Sequence, residues 1–392
     1  MAGMDVPVRP DNRGGRFITT AFNSKHDHNK NPRAGGDIKQ PVPYPKGPAY
    51  TSPEPVKIDR LTRAGGFLAL LFGTGLLDMP SMETDLSFFD DAPVRLATRA
   101  SQLAMVQTEM VCAALRPAAV VVRPVTTQGD RILDRPLVEA GGKGLFIKEL
   151  ERSILAEEAD AAVHSMKDME THFAPGTEIG AVLAREDRRD ALVGPFKSLD
   201  DLPKGARIGT ASVRRAAILL HYRPDLSIKL IRGNVNRRLS LLSAGDFDAL
   251  VLAMAGLKRL GLDVDHVPID PQIMPSAVAQ GALAIQIAAP TTPRRQAVKS
   301  LVAGLTCQRA LAEVTAERAL LAHLDGSCQT PISASAVLDD HGVLTVDGMI
   351  LRPDGSAAHR QQISGPVATA QDLGAALGAE LLGMAGGREF LA

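Results

Sequence analysis

Apolar and polar positions along this chain fall into three regimes. Residues 1–60 sustain no period and are rich in Pro, Gly, Asn and Lys, so they are predicted to be disordered. Residues 64–77, AGGFLALLFGTGLL, form a single apolar run. It is too short to span a bilayer comfortably and starts too far from Met1 for an ordinary signal peptide. Met82 is an alternative start, and residues 1–90 read as an extension outside the fold. From Val94 onward, short apolar runs alternate with stretches of helical period. Strands are predicted over 94–98 and 120–125, up to His164, and over 179–183, 207–210, 227–231 and 248–253. Helices are predicted from an N-cap at Ser101 to Leu115, after Gly144, and over 212–221 and 235–244. Repeated strand–helix–strand units imply mixed, mostly parallel sheets covered by helices. The polar stretch 185–190 separates two such sets and is a candidate hinge. Beyond Pro290, helices over 294–305 and 309–324, β-like runs 333–338 and 343–351, and a helix from Ala370 predict a third, smaller α/β unit.

At 392 residues the chain has room for two or three domains. Its formal net charge is zero, so no global field recruits nucleic acid or an acidic membrane, and anion recognition must come from local clusters. The absence of Trp and the three Tyr residues weaken any stacking-based nucleic-acid binding. The three cysteines, Cys112, Cys307 and Cys328, include no pair at metal-ligand spacing, and a sparse odd count fits a reducing cytoplasm.

Local clusters do exist. Gly141-Gly-Lys143-Gly opens an amphipathic helix, and the strand after it stops at Ser165-Met-Lys167-Asp168. A cation and a carboxylate just past the C-terminal end of a strand lie where open α/β sheets place ligands. Asp168 there can exchange a proton or stabilise a developing cation, or can merely cap a helix. Arg99 and Ser101 occupy another strand-to-helix turn. In the second set, Thr210-Ala-Ser212 with Arg214 and Arg215, then Arg232, Arg237 and Arg238, then Lys258 and Arg259, follow three successive strands. Guanidinium groups and helix N-termini at one sheet edge suit a small molecule bearing many carboxylates or phosphates. Asp130 and Asp134 sit in a loop-like segment where either acid can simply stabilise a turn. Cys112 lies within an apolar helix and reads as core, whereas Cys328, between Gly326 and Pro331, reads as an accessible loop thiol or attachment point.

Several of these blocks, in order, resemble the porphobilinogen deaminase family. They are Arg95-Leu-Ala-Thr-Arg-Ala-Ser101, Gly141-Gly-Lys-Gly-Leu-Phe146, Val163-His-Ser-Met-Lys-Asp168 and Arg185-Glu-Asp-Arg-Arg-Asp190. Gly209-Thr-Ala-Ser-Val-Arg-Arg215, Arg232-Gly-Asn-Val235, Ala255-Gly-Leu-Lys-Arg-Leu-Gly261, Gln280-Gly-Ala-Leu283 and Gly326-Ser-Cys-Gln-Thr-Pro-Ile332 continue the set. The resemblance implies stepwise head-to-tail condensation of four porphobilinogen molecules with release of ammonia, followed by hydrolysis to a linear tetrapyrrole. It implies a dipyrromethane cofactor held by a thioether at Cys328 and a catalytic carboxylate at Asp168. Ser165, Lys167, Asp168, Thr210, Ser212, Arg214, Arg215 and Arg238 match cofactor-binding positions. Arg99, Ser101, Lys143, Phe146, Arg232, Arg259 and Gln280 match positions tied to the substrate. No metal, nucleic-acid or membrane partner is implied, and a cytoplasmic monomer is. The implied architecture has two lobes like periplasmic binding proteins, spanning 91–186 with 279–304 and 187–278, and a C-terminal domain over 305–392. The chain departs from the pattern at Ala211, where serine is common, at Glu139, where relatives can carry lysine, and in a turn before Gln280 that is one residue longer. The competing reading is a non-catalytic, two-lobed polycarboxylate-binding module, which leaves Cys328 and the third unit without a role.

Overall fold

The computed structural model describes residues 86–89, 92–131, 144–327 and 329–391. The expectations for 1–85, including the apolar run 64–77 and the alternative start, and those for Asp134, Glu139, Lys143 and Cys328 lie outside the described residues. The chain opens with β1 (Val94–Arg99), α1 (Gln102–Ala114), β2 (Val120–Val125), the short α2 (Gln128–Arg131), α3 (Lys148–Leu155), β3 (Ala161–Ser165) and β4 (Thr177–Val182). It continues with β5 (Asp190–Val193), β6 (Arg207–Thr210), α4 (Val213–Tyr222), β7 (Ser227–Leu230), α5 (Val235–Ser243), β8 (Ala249–Ala253), α6 (Met254–Leu260) and β9 (His266–Pro268). Then come β10 (Leu283–Ala288), α7 (Pro293–Ala303), α8 (Gln308–His323), β11 (Ile332–Leu338), β12 (Val343–Leu351), β13 (Ala358–Pro366) and α9 (Ala370–Met384).

These strands build three sheets. The first has the order β2-β1-β3-β10-β4, the second β7-β6-β8-β5-β9 and the third β11-β12-β13. Within each five-stranded sheet four strands run the same way and one runs against them, β10 in the first and β5 in the second. The central strands are apolar on both faces because helices cover both. In β8, Ala249 and Val251 face a core with Ile208, Ile218 and Leu219, while Leu250 and Leu252 face one with Ile231, Met254 and Leu257. In the first sheet Leu96, Val163 and Ile285 pack with Val111 and Val298, and Ala97 and Ala162 pack with Leu150 and Ile154 on the other face. Each fully buried Leu, Ile or Val there contributes about 1.5–3 kcal/mol. The third sheet packs against α8 and α9 through Val314, Leu320, Ile350, Leu377 and Leu381.

Four strands escape the sequence reading: β5, β9, β10 and β13. Of these, β5 and β10 are the reversed strands, each the first element after the chain passes between the two large sheets. The first passage, residues 183–189, contains the stretch read as a hinge, and ion pairs tie it to α8. Asp190 is wholly buried at the start of β5. Arg185 donates to both carboxylate oxygens of Glu317 at 2.7 and 2.8 Å, and Arg188 donates to Glu313 at 2.7 Å. Glu317 also accepts from the backbone N–H of Ala279, in the return passage, at 2.6 Å, and from that of Ala336 at 2.8 Å. One buried glutamate of α8 therefore ties both passages to the third sheet. The return passage turns tightly here: Ala279 takes a left-handed φ of 57° and Gly281 one of 89°. Only glycine fits at 281, because a Cβ would lie 2.3 Å from the carbonyl oxygen of Glu186.

Candidate active site

The carboxyl ends of β1, β3, β6, β7 and β8 deliver their following turns to one cavity of about 810 Å³. Three helices begin at its wall, each with a side-chain cap. Ser101 Oγ accepts from Ala104 N at the start of α1, Ser212 Oγ from Arg215 N at the start of α4, and Asn234 Oδ1 from Arg237 N at the start of α5. Capping is what polar residues do at strand-to-helix turns, and the remaining amide groups and helix dipoles face anions in the cavity. Among the described residues, nine basic side chains line the cavity against three carboxylates, those of Asp130, Asp168 and Glu170.

Asp168 ends a single 3-10 turn, Met166–Asp168, directly after β3, so it is not a helix N-cap. Its carboxylate is 34% exposed, and its ion-pair partner is Arg99, 3.6 Å away. Arg99 binds Asp130 more closely, at 2.5 Å, and its guanidinium lies 4.1 Å from the centre of the Phe146 ring. Burial alone would raise the pKa of Asp130, but the hydrogen bond and charge of Arg99 outweigh it and the carboxyl is lowered. Thr127 Oγ1 completes the arrangement by donating to Asp130 at 2.7 Å. Phe146 presses on Gly129 so closely that a Cβ there would lie 2.3 Å from the ring, so glycine is what lets the ring reach Arg99.

The other wall is centred on a carboxylate that the sequence reading assigned to the hinge. Asp190 accepts from Arg214 at 2.5 Å and from Arg215 at 2.7 and 3.0 Å. Both guanidiniums are buried, and they also donate to the carbonyls of Pro275 and Val251. Gln280 joins the two walls. Its amide donates to Asp190 at 2.9 Å and to the carbonyl of Arg188, and its oxygen accepts from Lys167 at 3.2 Å. Lys167 is lowered to about 8, by burial and by the charge of Arg215. Arg238, which donates to the carbonyl of Gly233, and Arg259, which donates to that of Gly281, are each lowered to about 10, chiefly by burial. These shifts mark buried cations that outnumber the carboxylates among the described residues of the cavity, an arrangement suited to a polyanion.

The structure thus brings Arg99, Ser101, Phe146, Ser165, Lys167, Asp168, Ser212, Arg214, Arg215, Arg232, Arg238, Arg259 and Gln280 to one cavity. Thr210 stands apart: it is buried, and its hydroxyl accepts from Ser212 N at 3.2 Å, shaping the turn. Ser165 exchanges hydrogen bonds with buried Gln107 at 2.8 and 3.1 Å. The sequence reading missed Asp190, Gln107 and Arg318. Arg318 reaches the cavity from α8, donates to the carbonyl of Glu170 at 2.6 Å and is lowered to about 10 by burial. Its helix carries no turn or glycine signal to single it out. Ser327, Gln329 and Thr330 also line the cavity, in a turn closed by Ser327 N donating to Thr330 Oγ1 at 2.9 Å. Among the described residues no cluster of His, Cys, Asp and Glu is grouped as a metal site, and no helix is long and apolar enough to cross a membrane.

Comparison with known proteins places the chain in a family. The family model for the dipyrromethane cofactor binding domain of porphobilinogen deaminase matches residues 94–295, and that for its C-terminal domain matches 311–383. Porphobilinogen deaminase of Synechococcus elongatus is 45% identical over 308 residues, covering 76% of this chain and 94% of that protein. Among solved structures, an ancestral cationic amino acid solute binding protein aligns at 12% identity and a TM-score of 0.34, covering 56% of this chain and 91% of that one. The OxyR2 regulatory domain of Vibrio vulnificus aligns at 13% and 0.35, covering 59% and 98%. With the family models spanning more than half of its length and a relative of this identity, the chain belongs to the porphobilinogen deaminase family.

Proposed function

We propose that this protein is a hydroxymethylbilane synthase, a transferase that joins four porphobilinogen units head to tail, releases an ammonia at each step and frees the tetrapyrrole with water. The observation that carries this reading is the pairing of Asp168 with a cavity of excess positive charge built from both large sheets.

The donor set fits a dipyrromethane, whose acetate and propionate groups are anions. Among the described residues the Nε atoms of Arg214 and Arg259 are buried without a hydrogen-bond partner, and Lys167, Arg238 and Arg259 all carry charge at a cost that bound carboxylates would offset. Lys167, Arg214, Arg215 and Arg238, with Ser165, Ser212 and the turn set by Thr210, would hold it. The tether is the thiol of Cys328, a reading supported by the presence of its neighbours Ser327 and Gln329 in the cavity wall. When bound, the dipyrromethane supplies the free pyrrole position to which the first substrate is joined.

The chain's own residues then divide the work. Arg99, Ser101, Arg232, Arg259 and Lys143 hold the carboxylates of the incoming pyrrole, and the Phe146 ring packs beside it. Asp168 exchanges a proton with the substrate and stabilises positive charge as it develops on the pyrrole nitrogen. Arg99 lies 3.6 Å from that carboxylate, and 34% exposure leaves it free to reach the substrate. Gln280 links Lys167 of one wall to Asp190 of the other. The three sheets support domains over 91–186 with 279–304, over 187–278 and over 305–392. The three cysteines fit a cytoplasmic protein, and we take it to act as a monomer.

Asp168→Ala tests the assignment. Intact mass should still show an adduct of two pyrrole units, while turnover falls about 10²–10⁴-fold. Undiminished turnover, or wild-type protein of bare polypeptide mass after refolding with porphobilinogen, would reject it.

A further inference from the structure

Of the nine basic side chains that line the cavity, the protein itself engages eight, from Arg99 on Asp130 and Lys167 on Gln280 to Arg318 on the carbonyl of Glu170. The ninth, Arg237, makes no ion pair and no side-chain hydrogen bond with any described residue. An exposed guanidinium needs no partner, so what marks this one is its placement. It stands on the first turn of α5, where side chains lean back toward the helix start. Its stem lies across Gly233, where a Cβ would come within 2.5 Å of Arg237 Cδ, so the group is directed to the turn that borders the cavity. That turn follows β7, the edge strand of the second sheet, and so forms the margin of its wall. The next residue back, Asn236, donates to Gln102 Oε1 at 2.5 Å, and Gln102 opens α1 on the first sheet. Arg237 thus stands at the seam between the two walls. Leu230, the last residue of β7, is 52% exposed, and of the large apolar side chains left exposed among the described residues it alone lines the cavity.

We propose that Arg237, with Leu230, is a length-dependent substrate site that takes a carboxylate of the rings displaced to the margin as the oligopyrrole grows, an inference that rests on the activity proposed above. A volume of about 810 Å³ lies within the roughly 300–1,000 Å³ of clefts that take one drug-sized molecule. Two cofactor rings with four added ones exceed it, and every ring brings an acetate and a propionate. The carboxylates of the short oligopyrrole meet the inner cations, which the protein has already oriented. Those of the longer one reach the seam, where Arg237 offers a planar fork free to pair with a carboxylate and Leu230 offers apolar surface to a ring. Arg237 therefore contributes to the late additions and not to the first.

Arg237→Gln tests it. Cofactor-loaded wild type and variant are mixed with a few equivalents of porphobilinogen, quenched and read by intact mass. Adducts of one and two added units should form as in wild type, while those of three and four should be about three- to tenfold scarcer relative to them. Arg237→Lys, which keeps the charge, should restore most of the late adducts, and Leu230→Asn should show the same deficit to a lesser degree. Lys204→Gln, which removes an exposed charge outside the cavity, should match wild type. In the wild type, a dicarbonyl reagent that modifies accessible guanidinium groups should label Arg237 before substrate is added, and label it less once three units are bound. A distribution in Arg237→Gln like that of wild type, an equal loss of every adduct, or labelling indifferent to oligopyrrole length overturns the proposal; equal loss would make Arg237 a charge that steers substrate entry. The labelling of the wild type decides the matter if the variant does not fold. Wild-type protein that builds no series of adducts from porphobilinogen overturns the activity reading instead, a result distinct from a full series indifferent to Arg237.

Discussion

Replacing Asp190 by Asn separates two roles for the paired arginines, ligand binding and structure. The carboxylate is wholly buried and accepts from Arg214 and Arg215 at 2.5–3.0 Å. Asp190→Asn keeps the shape and removes the charge, leaving two buried guanidiniums facing each other. Breaking a buried pair in this way costs about 3–5 kcal/mol. For a chain of this length that lowers the melting temperature by roughly 6–10 °C. Burial alone would raise the Asp190 pKa, but the charges and hydrogen bonds of Arg214 and Arg215 press it far below the usual carboxylate range. A group depressed in the folded state stabilises it above its unfolded pKa, near 4, and that contribution fades as pH falls further. The gap between wild type and Asp190→Asn should therefore be full at pH 7 and narrow progressively below about pH 4. Urea unfolding of cofactor-free protein at pH 7, 5 and 3 measures it, repeated in 1 M NaCl. Salt should leave the gap standing, because screening acts on exposed charges. A loss below about 1 kcal/mol at pH 7, or a gap that closes in salt, would show that the arginines do not depend on Asp190.

Two further outcomes follow from the same kind of argument. Lys167 is lowered to about 8 in the folded protein from an unfolded value near 10.4, so its charge is a burden below pH 8 that vanishes by about pH 10. Cofactor-free Lys167→Met should accordingly exceed wild type in stability at pH 7 and lose that advantage at pH 10, as read by denaturant midpoints. Glu317→Gln removes the closer of two buried carboxylates that Arg185 faces, Glu313 remaining at 3.4 Å, and should cost up to about 3–5 kcal/mol, with faster amide exchange at Ala279.

Most of the fold was legible because covered parallel strands are short apolar runs bounded by turns, and 120–125, 207–210 and 343–351 match their strands residue for residue. The failures have physical causes. The β10 stretch Leu-Ala-Ile-Gln-Ile-Ala is apolar throughout, and periodicity cannot tell a buried strand from a buried helix segment. β5 is four residues long behind five charged ones, so its polar flank outweighed its core. β13 is an edge strand that carries four consecutive polar residues, His359 to Gln362, a pattern that reads as loop. At the site, glycine turns and strand-end arginines exposed the cavity. Asp190, Gln107 and Arg318 remained hidden because each acts through long-range contacts that no local spacing records.

The reversed strand of the first sheet bears on how the molecule is made. β3 and β4 both pair with β10, and Ser165 meets Leu283 across the sheet. That partner is synthesised 283 − 165 = 118 residues later, so at about 5–20 residues per second the wait lasts roughly 6–24 s. Through that interval β4 has no neighbour and β3 presents a bare apolar edge, the kind of surface on which chains aggregate. The whole second sheet emerges in the meantime, since β5 to β9 end at Pro268. The strand that carries the nascent chain into Asp168 is therefore sealed only after the half that holds Arg214 and Arg215 has been born, and a ribosome stalled between residues 165 and 283 leaves this protein at its most vulnerable.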